Sequence, residues 1–282
     1  MLKREARPWV LVRGAGDLAT GVIVRLYRCG FRVIATECAD PSAIRRRAAL
    51  CEAVWQGTSQ VEGVRCRRVS DAAQAAAVSR AGEVPLLVDE RAACIGTLRP
   101  AAVVDAILAK RNLGTDRSLA QITIGVGPGF TAGVEVDAVV ETMRGHHLGR
   151  VIRQGAAIPD TGVPGAIAGY TVERVIHAPA AGRMCFVKDE TGAAVDIGAI
   201  VRAGQTIARI GETPVSATIN GVLRGLIREG YPVSAGLKIA DIDPRPEQAA
   251  YCDTISDKAR AIGGGVVEAL LELSREKGIE LL

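Results

Sequence analysis

The sequence predicts an α/β protein with a parallel sheet and covering helices in its first half, a β-rich second half and a C-terminal helix. Short β-branched runs alternate with helical stretches as far as residue 127, which is typical of a parallel sheet. Beyond residue 127, glycine and proline recur every few residues and one segment is repeated. The 282 residues are 48% hydrophobic but only 3% aromatic, so we expect two domains with aliphatic cores.

Charge and cysteine content narrow the possible partners and the compartment. The formal net charge of +4 is too small to indicate a nucleic-acid binder, although a small anionic ligand is compatible with it. No apolar stretch is long enough for a membrane helix, and the charges of Lys3 and Arg4 leave no room for a signal peptide. Seven cysteines without a C-x-x-C pair indicate reduced thiols. We therefore expect a cytoplasmic protein with neither nucleic-acid nor membrane partners.

Five strands and two helices are predicted in the first half. The first helix follows the first strand and ends at Gly30. The second begins at Pro100, whose fixed φ suits a first helical turn, and presents Val103, Val104, Ile107 and Leu108 on one face. The predicted strands are Trp9–Val12, Arg32–Thr36, Val64–Val69, Leu86–Val88 and Gln121–Val126.

A glycine loop between the first strand and the first helix gives the strongest chemical signal. Residues 14–19 read G-x-G-x-x-A, in which Gly14 permits a tight turn and Gly16 lets a pyrophosphate approach the backbone. The N-terminus of the following helix then offers N–H groups to phosphate. Glu37 ends the second strand about twenty residues later, where a carboxylate can bind ribose hydroxyls. These features predict a Rossmann-like domain that binds a phosphate-bearing cofactor.

Other residues are expected at the same edge of the sheet. Asp89 and the Gly127–Gly129 turn follow predicted strands, so they can complete the ligand cleft, although turn formation alone would also explain them. The Arg45-Arg46-Arg47 run could neutralise a phosphate or form a solvated helix face. The predicted cofactor-binding residues are Gly14, Gly16, Asp17, Ala19, Thr20, Glu37, Asp89, Gly127 and Gly129.

Sequence signals for chemistry are weaker than those for binding. No tyrosine has a lysine four residues later, so the Tyr-x-x-x-Lys pair of many hydride-transfer enzymes is missing. The three histidines lack the His-Glu-x-x-His spacing and no cysteine pair has zinc-ligand spacing, so no metal site is predicted. No catalytic residue can be assigned.

An internal repeat organises the second half. Gly198, Val201 and Gly204 recur 32 positions later as Gly230, Val233 and Gly236, and an upstream segment recurs at an offset of 39. We expect two hairpin-like units packed face to face. This paired pattern resembles the barrel-sandwich hybrid of biotinyl and lipoyl carrier domains. The turn between the halves, residues 211–214, has no lysine, so a structural or partner-docking module without a carried group is expected.

These patterns divide the chain into four predicted parts. Residues 1–126 form the Rossmann-like domain, 127–175 a β- and turn-rich connecting region, and 176–245 the barrel-sandwich hybrid module. Residues 246–282 form a C-terminal helical segment whose apolar face needs a partner surface. We expect it to pack back on the first domain.

A succession of motifs along nearly the whole chain resembles the YqeB family, whose members are described as maturation proteins of selenium-dependent molybdenum hydroxylases. More distantly, the chain is similar to XdhC-type maturation factors. The motifs are residues 13–21, Lys110-Arg111-Asn112, Gly127-Pro128-Gly129-Phe130, residues 141–146, residues 241–245 and Ser256-Asp257-Lys258-Ala259.

The resemblance implies an accessory factor that acts on a molybdenum hydroxylase apoprotein or with other maturation factors, and a homo-oligomer is compatible with it. Molybdopterin, its dinucleotide and NAD(P) are the candidate cofactors. Arg144, His146 and Lys258 are candidate contacts for an anion or a partner, and Cys38 is a candidate thiol for sulfur or selenium. Two other functions stay open: a NAD-dependent oxidoreductase, favoured by Glu37, and a non-catalytic scaffold that recruits partners through the β-rich half.

Overall fold

The structure, a computed structural model, describes residues 7–163 and 165–282. Lys3 and Arg4, on which the expectation about a signal peptide rests, lie outside the described residues, as does Pro164 in a predicted turn. The described chain is a mixed α/β structure with a largely parallel sheet, antiparallel sheets and a C-terminal helix, which confirms that part of the prediction. Along it, no helix combines the length and apolar character that a membrane crossing requires.

A nine-stranded sheet forms the centre of the first half. Seven of its strands run parallel, and β3 and β10 are antiparallel at the two edges. Its order is β10-β9-β7-β6-β1-β2-β5-β4-β3. The bounds are β1 Trp9–Arg13, β2 Arg32–Glu37, β3 Thr58–Val61, β4 Val64–Val69, β5 Val84–Val88, β6 Ala102–Asp105, β7 Ile122–Val126, β9 Ala138–Val140 and β10 Val151–Ile152.

The helices are α1 Asp17–Arg28, α2 Ala53–Gln56, α3 Ala72–Arg80, α4 Ile95–Leu98 and α5 Asp257–Lys277. Short 3-10 helices cover Arg46–Ala48, Leu50–Glu52, Val172–Arg174 and Pro246–Tyr251. Two further strands, β8 Thr131–Ala132 and β11 Gly155–Ala156, pair with each other.

The prediction of a helix that begins at Pro100 is wrong. Ala102–Asp105 is strand β6, which lies between β1 and β7 with all four residues buried. A strand covered on both faces is apolar at successive positions, so its pattern is easily taken for a helix when the run is short. The β-branched pair Val103-Val104 favours the strand. The five strands predicted from the sequence are all present, with ends that differ by up to two residues.

The C-terminal helix α5 packs on α1 through residues without side-chain bulk. Ser256 caps α5 by accepting a hydrogen bond from Ala259 N–H at 3.1 Å. A Cβ on Gly21 of α1 would lie 2.6 Å from Ala259 O, and one on Gly263 would lie 2.7 Å from Gly21 O. The two backbones therefore touch, which explains Gly263 inside a helix where glycine otherwise costs stability.

Contacts divide the chain into two units. The first contains the residues up to Pro41, Ala49–Thr161 and Ile255–Leu282, and the second contains Ser42–Ala48 and Gly162–Thr254. The predicted connecting region 127–175 is thus split between the units after Thr161, and α5 belongs to the first unit.

The second unit contains two four-stranded antiparallel sheets in which the repeated segments occupy equivalent places. The orders are β12-β19-β17-β14 and β16-β15-β13-β18. In each sheet, the two central strands come from one copy of the repeat and the two outer strands come from the other copy. All eight strands contribute residues to one apolar core. The bounds are β12 Val175–His177, β13 Gly182–Phe186, β14 Ile200–Val201, β15 Thr206–Ile210, β16 Thr213–Ser216, β17 Gly221–Leu226, β18 Pro232–Val233 and β19 Lys238–Asp243.

The run Arg45-Arg46-Arg47 belongs to this second unit. Arg46 forms an ion pair with Asp196 and donates from Nε to Leu226 O at 2.7 Å. Arg45 donates to Thr254 O at 3.0 Å. These contacts give the run a structural role inside the unit.

Candidate functional site

The candidate site lies at the carboxyl edge of the nine-stranded sheet. β1 pairs in parallel with β2 on one side and with β6 on the other. The chain passes from β1 to β2 in one direction and later returns to add β6 and β7 in the other. In open α/β sheets, the point at which strand order reverses leaves a crevice at the carboxyl ends, where ligands bind.

The glycine loop lies at this point, between β1 and α1. Gly14 has φ +93° and donates its N–H to Thr36 O at 2.8 Å. A Cβ there would lie 3.0 Å from Ala106 O. Gly16 is the N-cap of α1 without a side-chain cap, and a Cβ on it would have no neighbour within 4 Å. Gly14 therefore makes the turn possible, and Gly16 faces open space at a helix N-terminus.

Glu37 connects the end of β2 to the glycine loop. One carboxylate oxygen accepts a hydrogen bond from Ala15 N–H at 2.8 Å, and the other accepts one from Cys38 N–H at 2.9 Å. Each carboxylate oxygen can accept a second hydrogen bond. Glu37 therefore holds the loop and can still receive a ligand hydroxyl.

Ala19 and Thr20 support the loop from the protein side. Both are buried, and the Thr20 hydroxyl donates to Ala15 O at 3.1 Å while accepting from Leu50 N–H at 2.9 Å. Asp17 is the first residue of α1, where a negative charge interacts favourably with the helix dipole. Thr20 thus shapes the loop without facing the crevice.

Cys38 lies beside the loop in an environment that disfavours its thiolate. Burial, together with the neighbouring charge of Glu37 and a hydrogen bond to it, raises the pKa of Cys38 to about 12. Reactive cysteines usually have a lowered pKa. A role for Cys38 in carrying sulfur or selenium stays a prediction, and the raised pKa argues against it.

Asp89 lies next to Glu37 but uses its carboxylate as a cap. Its N–H donates to Glu37 O at 2.9 Å, while its two carboxylate oxygens accept from Ala93 N–H at 3.0 Å and Cys94 N–H at 2.8 Å. Asp89 therefore orders the loop after β5 at the edge of the site.

Gly127 and Gly129 allow close backbone packing after β7. A Cβ on Gly127 would lie 2.9 Å from the Thr142 hydroxyl oxygen, and one on Gly129 would lie 2.8 Å from the backbone N and Cα of Arg111. Both have positive φ, +81° and +112°. The turn thus lies against the loop that follows β6.

Arg144 and His146 lie in the segment that follows β9, and Lys258 lies in the first turn of α5. Arg144 forms a bidentate ion pair with Asp257 in the first turn of α5, with N–O distances of 2.7 and 2.9 Å. His146 is exposed and its ring meets that of His147 edge-on, with centroids 5.4 Å apart. Within residues 7–163 and 165–282, no group of three or more His, Cys, Asp or Glu side chains is arranged to hold a metal ion.

Sequence reasoning missed a buried polar network beneath the crevice. Arg13, the last residue of β1, is 2% exposed and lies 3.4 Å from the Asp105 carboxylate at the end of β6. The Thr115 hydroxyl donates to the same carboxylate oxygen at 2.6 Å. Arg13 also donates to Glu90 O at 3.2 Å and Leu113 O at 3.4 Å. Recognising β6 as a strand would have placed Arg13 and Asp105 side by side.

Comparisons with known proteins identify one close relative. No family model matches the chain. The uncharacterized protein YqeB of Escherichia coli (strain K12) is 49% identical over 267 residues, which are 95% of this chain and 48% of that protein. The chain therefore spans about half the length of this curated relative.

A product-bound structure of the ectoine utilization protein EutE (DoeB) from Ruegeria pomeroyi aligns with 84% of this chain and 85% of its own. The identity is 10% and the TM-score 0.24, which is too low to support an argument about fold or function. The 49% identity to YqeB extends along 95% of this chain, which is therefore similar to about half of that protein.

Proposed function

We propose that the chain is an accessory factor in the maturation of a selenium-dependent molybdenum hydroxylase and that it binds a phosphate-bearing cofactor or nucleotide at the glycine loop. The observation that carries the binding proposal is the N-terminus of α1. It has no side-chain cap, begins at a glycine that faces open space, and lies where the strand order of the sheet reverses. Helix N-termini of this kind bind phosphate through backbone N–H groups and the helix dipole.

The residues around the loop fit such a ligand. Gly16 leaves room for a phosphate, and the first-turn N–H groups of a helix, here including those of Leu18 and Ala19, have no acceptor within the helix. Glu37 can accept a ribose hydroxyl on the β2 side. This arrangement supports the Rossmann-like assignment. When bound, molybdopterin or its dinucleotide would supply the metal-binding group that an accessory factor transfers.

Glu37 favours a NAD-dependent oxidoreductase as the second candidate function. A carboxylate at the end of the second strand is the usual ribose contact of NAD-binding domains. NAD and NADP are therefore included in the binding experiment below.

The second unit supports a docking role in this proposal. Its two sheets contain equivalent strands from both copies of the repeat, an arrangement compatible with a barrel-sandwich hybrid. The turn between β15 and β16 contains Glu212 and Thr213 and no lysine to which a prosthetic group could be attached. We assign this unit to recognition of the hydroxylase apoprotein or of another maturation factor.

Equilibrium binding to four ligands tests the site: molybdopterin, its cytidine dinucleotide, NAD and NADP. We expect one of them to bind the wild type and Gly16→Asp to weaken that binding by about tenfold or more, because a carboxylate would face the phosphate at close range.

Gly264→Asp is the matched control for this experiment. It adds the same charge in α5, where a Cβ also has open space, and should leave binding unchanged. A wild type that binds none of the four ligands, or an unaffected Gly16→Asp variant, would contradict the proposal.

Maturation is tested in cells that lack the protein. We expect the hydroxylase polypeptide to accumulate without activity and with a low content of molybdenum or selenium. Normal activity with normal metal and selenium content would rule out the maturation role while leaving the binding result to stand by itself.

A further inference from the structure

The loop that follows β6, residues 106–114, has both of its ends fixed in the buried network. At its start, Asp105 accepts a hydrogen bond from Ile107 N–H at 3.1 Å, and at its end Asp105 accepts from the Thr115 hydroxyl. Arg13 adds a hydrogen bond to Leu113 O. Asn112 bridges the last turn by accepting from the N–H groups of Gly114 and Thr115. Hydrogen bonds therefore hold both ends of the loop.

The backbone of this loop lies against two glycines of the candidate site. A Cβ on Gly14 would lie 3.1 Å from Ile107 Cα, and one on Gly129 would lie 2.8 Å from Arg111 Cα. The loop thus runs from the glycine loop to the Gly129 turn on the β6 and β7 side of the crevice. Leu108 and Lys110 both have φ +62°, a conformation that costs energy for side chains other than glycine and persists where surrounding contacts fix it.

Two neighbouring cations in this loop differ in their partners. Lys110 forms an ion pair with Asp160 at 2.7 Å. Arg111 is exposed, and no carboxylate of the described chain pairs with it. The contacts with Gly129 fix the backbone of Arg111 at this turn, and its guanidinium has no ion-pair partner among the described residues.

We propose that Arg111 forms a second anion subsite at the Gly129 turn, so that the ligand of this crevice carries an acidic group in addition to the phosphate at α1. A guanidinium binds phosphate or carboxylate through two parallel hydrogen bonds, which gives direction as well as charge. This inference rests on the proposed function and narrows its ligand class to nucleotides or cofactors with a further phosphate or carboxylate on the β6 side.

Calorimetric titration with CDP and CTP in EDTA tests the subsite, because the two probes differ by one phosphate. We expect the wild type to bind CTP about tenfold more tightly than CDP, as a charge-assisted contact would give. Arg111→Gln should remove this difference and change the affinity for CDP by less than about twofold.

Lys110→Gln is the matched control, since it removes the same charge one residue away and should retain the preference for CTP. Arg111→Lys should retain part of it. Because Arg111 is exposed, its variants should keep the wild-type circular dichroism spectrum.

The outcomes separate the subsite from the proposed function. Three outcomes would overturn the subsite and leave the glycine-loop proposal standing: binding of CDP without a preference for CTP, a preference that survives Arg111→Gln, or binding of one of the four ligands above without binding of either nucleotide. Binding of neither nucleotide nor of the four ligands above would overturn both.

Discussion

At the scale of single residues, the site combines groups that local sequence shows with groups that only pairing of strands brings together. Gly14, Gly16 and Glu37 were predicted from the motif, and all three lie at the end of β1 and β2. Arg13 and Asp105 are 92 positions apart, and no local pattern couples them. The raised pKa of Cys38 is also not predictable from the sequence, because the burial and the neighbouring charge that set a pKa are properties of the folded chain.

The raised pKa of Cys38 predicts slow alkylation. A shift from 9.0 to about 12 lowers the thiolate population at neutral pH about a thousandfold. Iodoacetamide at pH 8 should therefore modify the exposed Cys29 and Cys185 well before Cys38, as read by mass spectrometry of peptides. Glu37→Gln should accelerate labelling of Cys38, since it removes a charge that raises this pKa. Labelling of wild-type Cys38 as fast as Cys29 would contradict the assignment.

At the scale of elements, the sequence predicts a helix correctly where the hydrophobic periodicity and the residues that start or end a helix agree. α1 begins after its glycine loop, and α5 lies within the predicted C-terminal helical segment. The sequence of β6 predicts a helix instead of a strand, because a buried strand of four residues shows no alternation and Pro100 is typical of a helix start. Gly263 of α5 has no explanation in the sequence, because its partner backbone at Gly21 of α1 lies more than 230 positions away.

Adjacent glycines in α5 should respond in opposite directions to alanine. Gly263→Ala places a methyl group 2.7 Å from Gly21 O and should lower the free energy of unfolding by about 1–3 kcal/mol. Gly264→Ala enters open space and should raise it by about 0.5–1 kcal/mol. Urea unfolding followed by tryptophan fluorescence reports this change, because Trp9 and Trp55 both belong to the first unit. Equal effects of the two variants would argue against the backbone contact.

At the scale of the whole molecule, the repeat was visible in the sequence, whereas the composition of the two units was not. The two copies of the repeat form equivalent strands: β14 and β18, for example, are 32 positions apart, which is the offset of the repeat. The second unit also contains Ser42–Ala48, because Arg46 pairs with Asp196, which is 150 positions away. A run of three arginines gives no indication of such a partner. The site therefore follows from the motif only in part, and its supporting contacts follow from the fold.

The first unit should lose stability in acid through Asp137. Burial opposes ionisation of this carboxyl group, but hydrogen bonds from Lys277 and Thr123 outweigh it and lower its pKa. A carboxyl group whose pKa is lowered on folding stabilises the folded state at pH values above its pKa in the unfolded chain, about 3.9. This stabilisation is lost as the pH falls through the pKa of the group in the folded chain.

The difference in unfolding free energy between wild type and Asp137→Asn should therefore be largest above about pH 5 and shrink below about pH 3. Urea unfolding followed by tryptophan fluorescence at each pH measures it. Glu268→Gln, which removes an exposed carboxylate from α5, is the control. A difference that does not vary with pH would contradict the role of Asp137.

Hydrogen exchange of the ligand-bound protein tests the central claim, binding of a phosphate-bearing ligand at the glycine loop, most directly. With molybdopterin cytidine dinucleotide present in excess, we predict slower exchange of the amides from Gly16 to Thr20, while the glycine turns at Gly198 and Gly204 stay unchanged. Binding that leaves the amides from Gly16 to Thr20 unprotected would contradict the account, because the ligand would then lie elsewhere on the molecule.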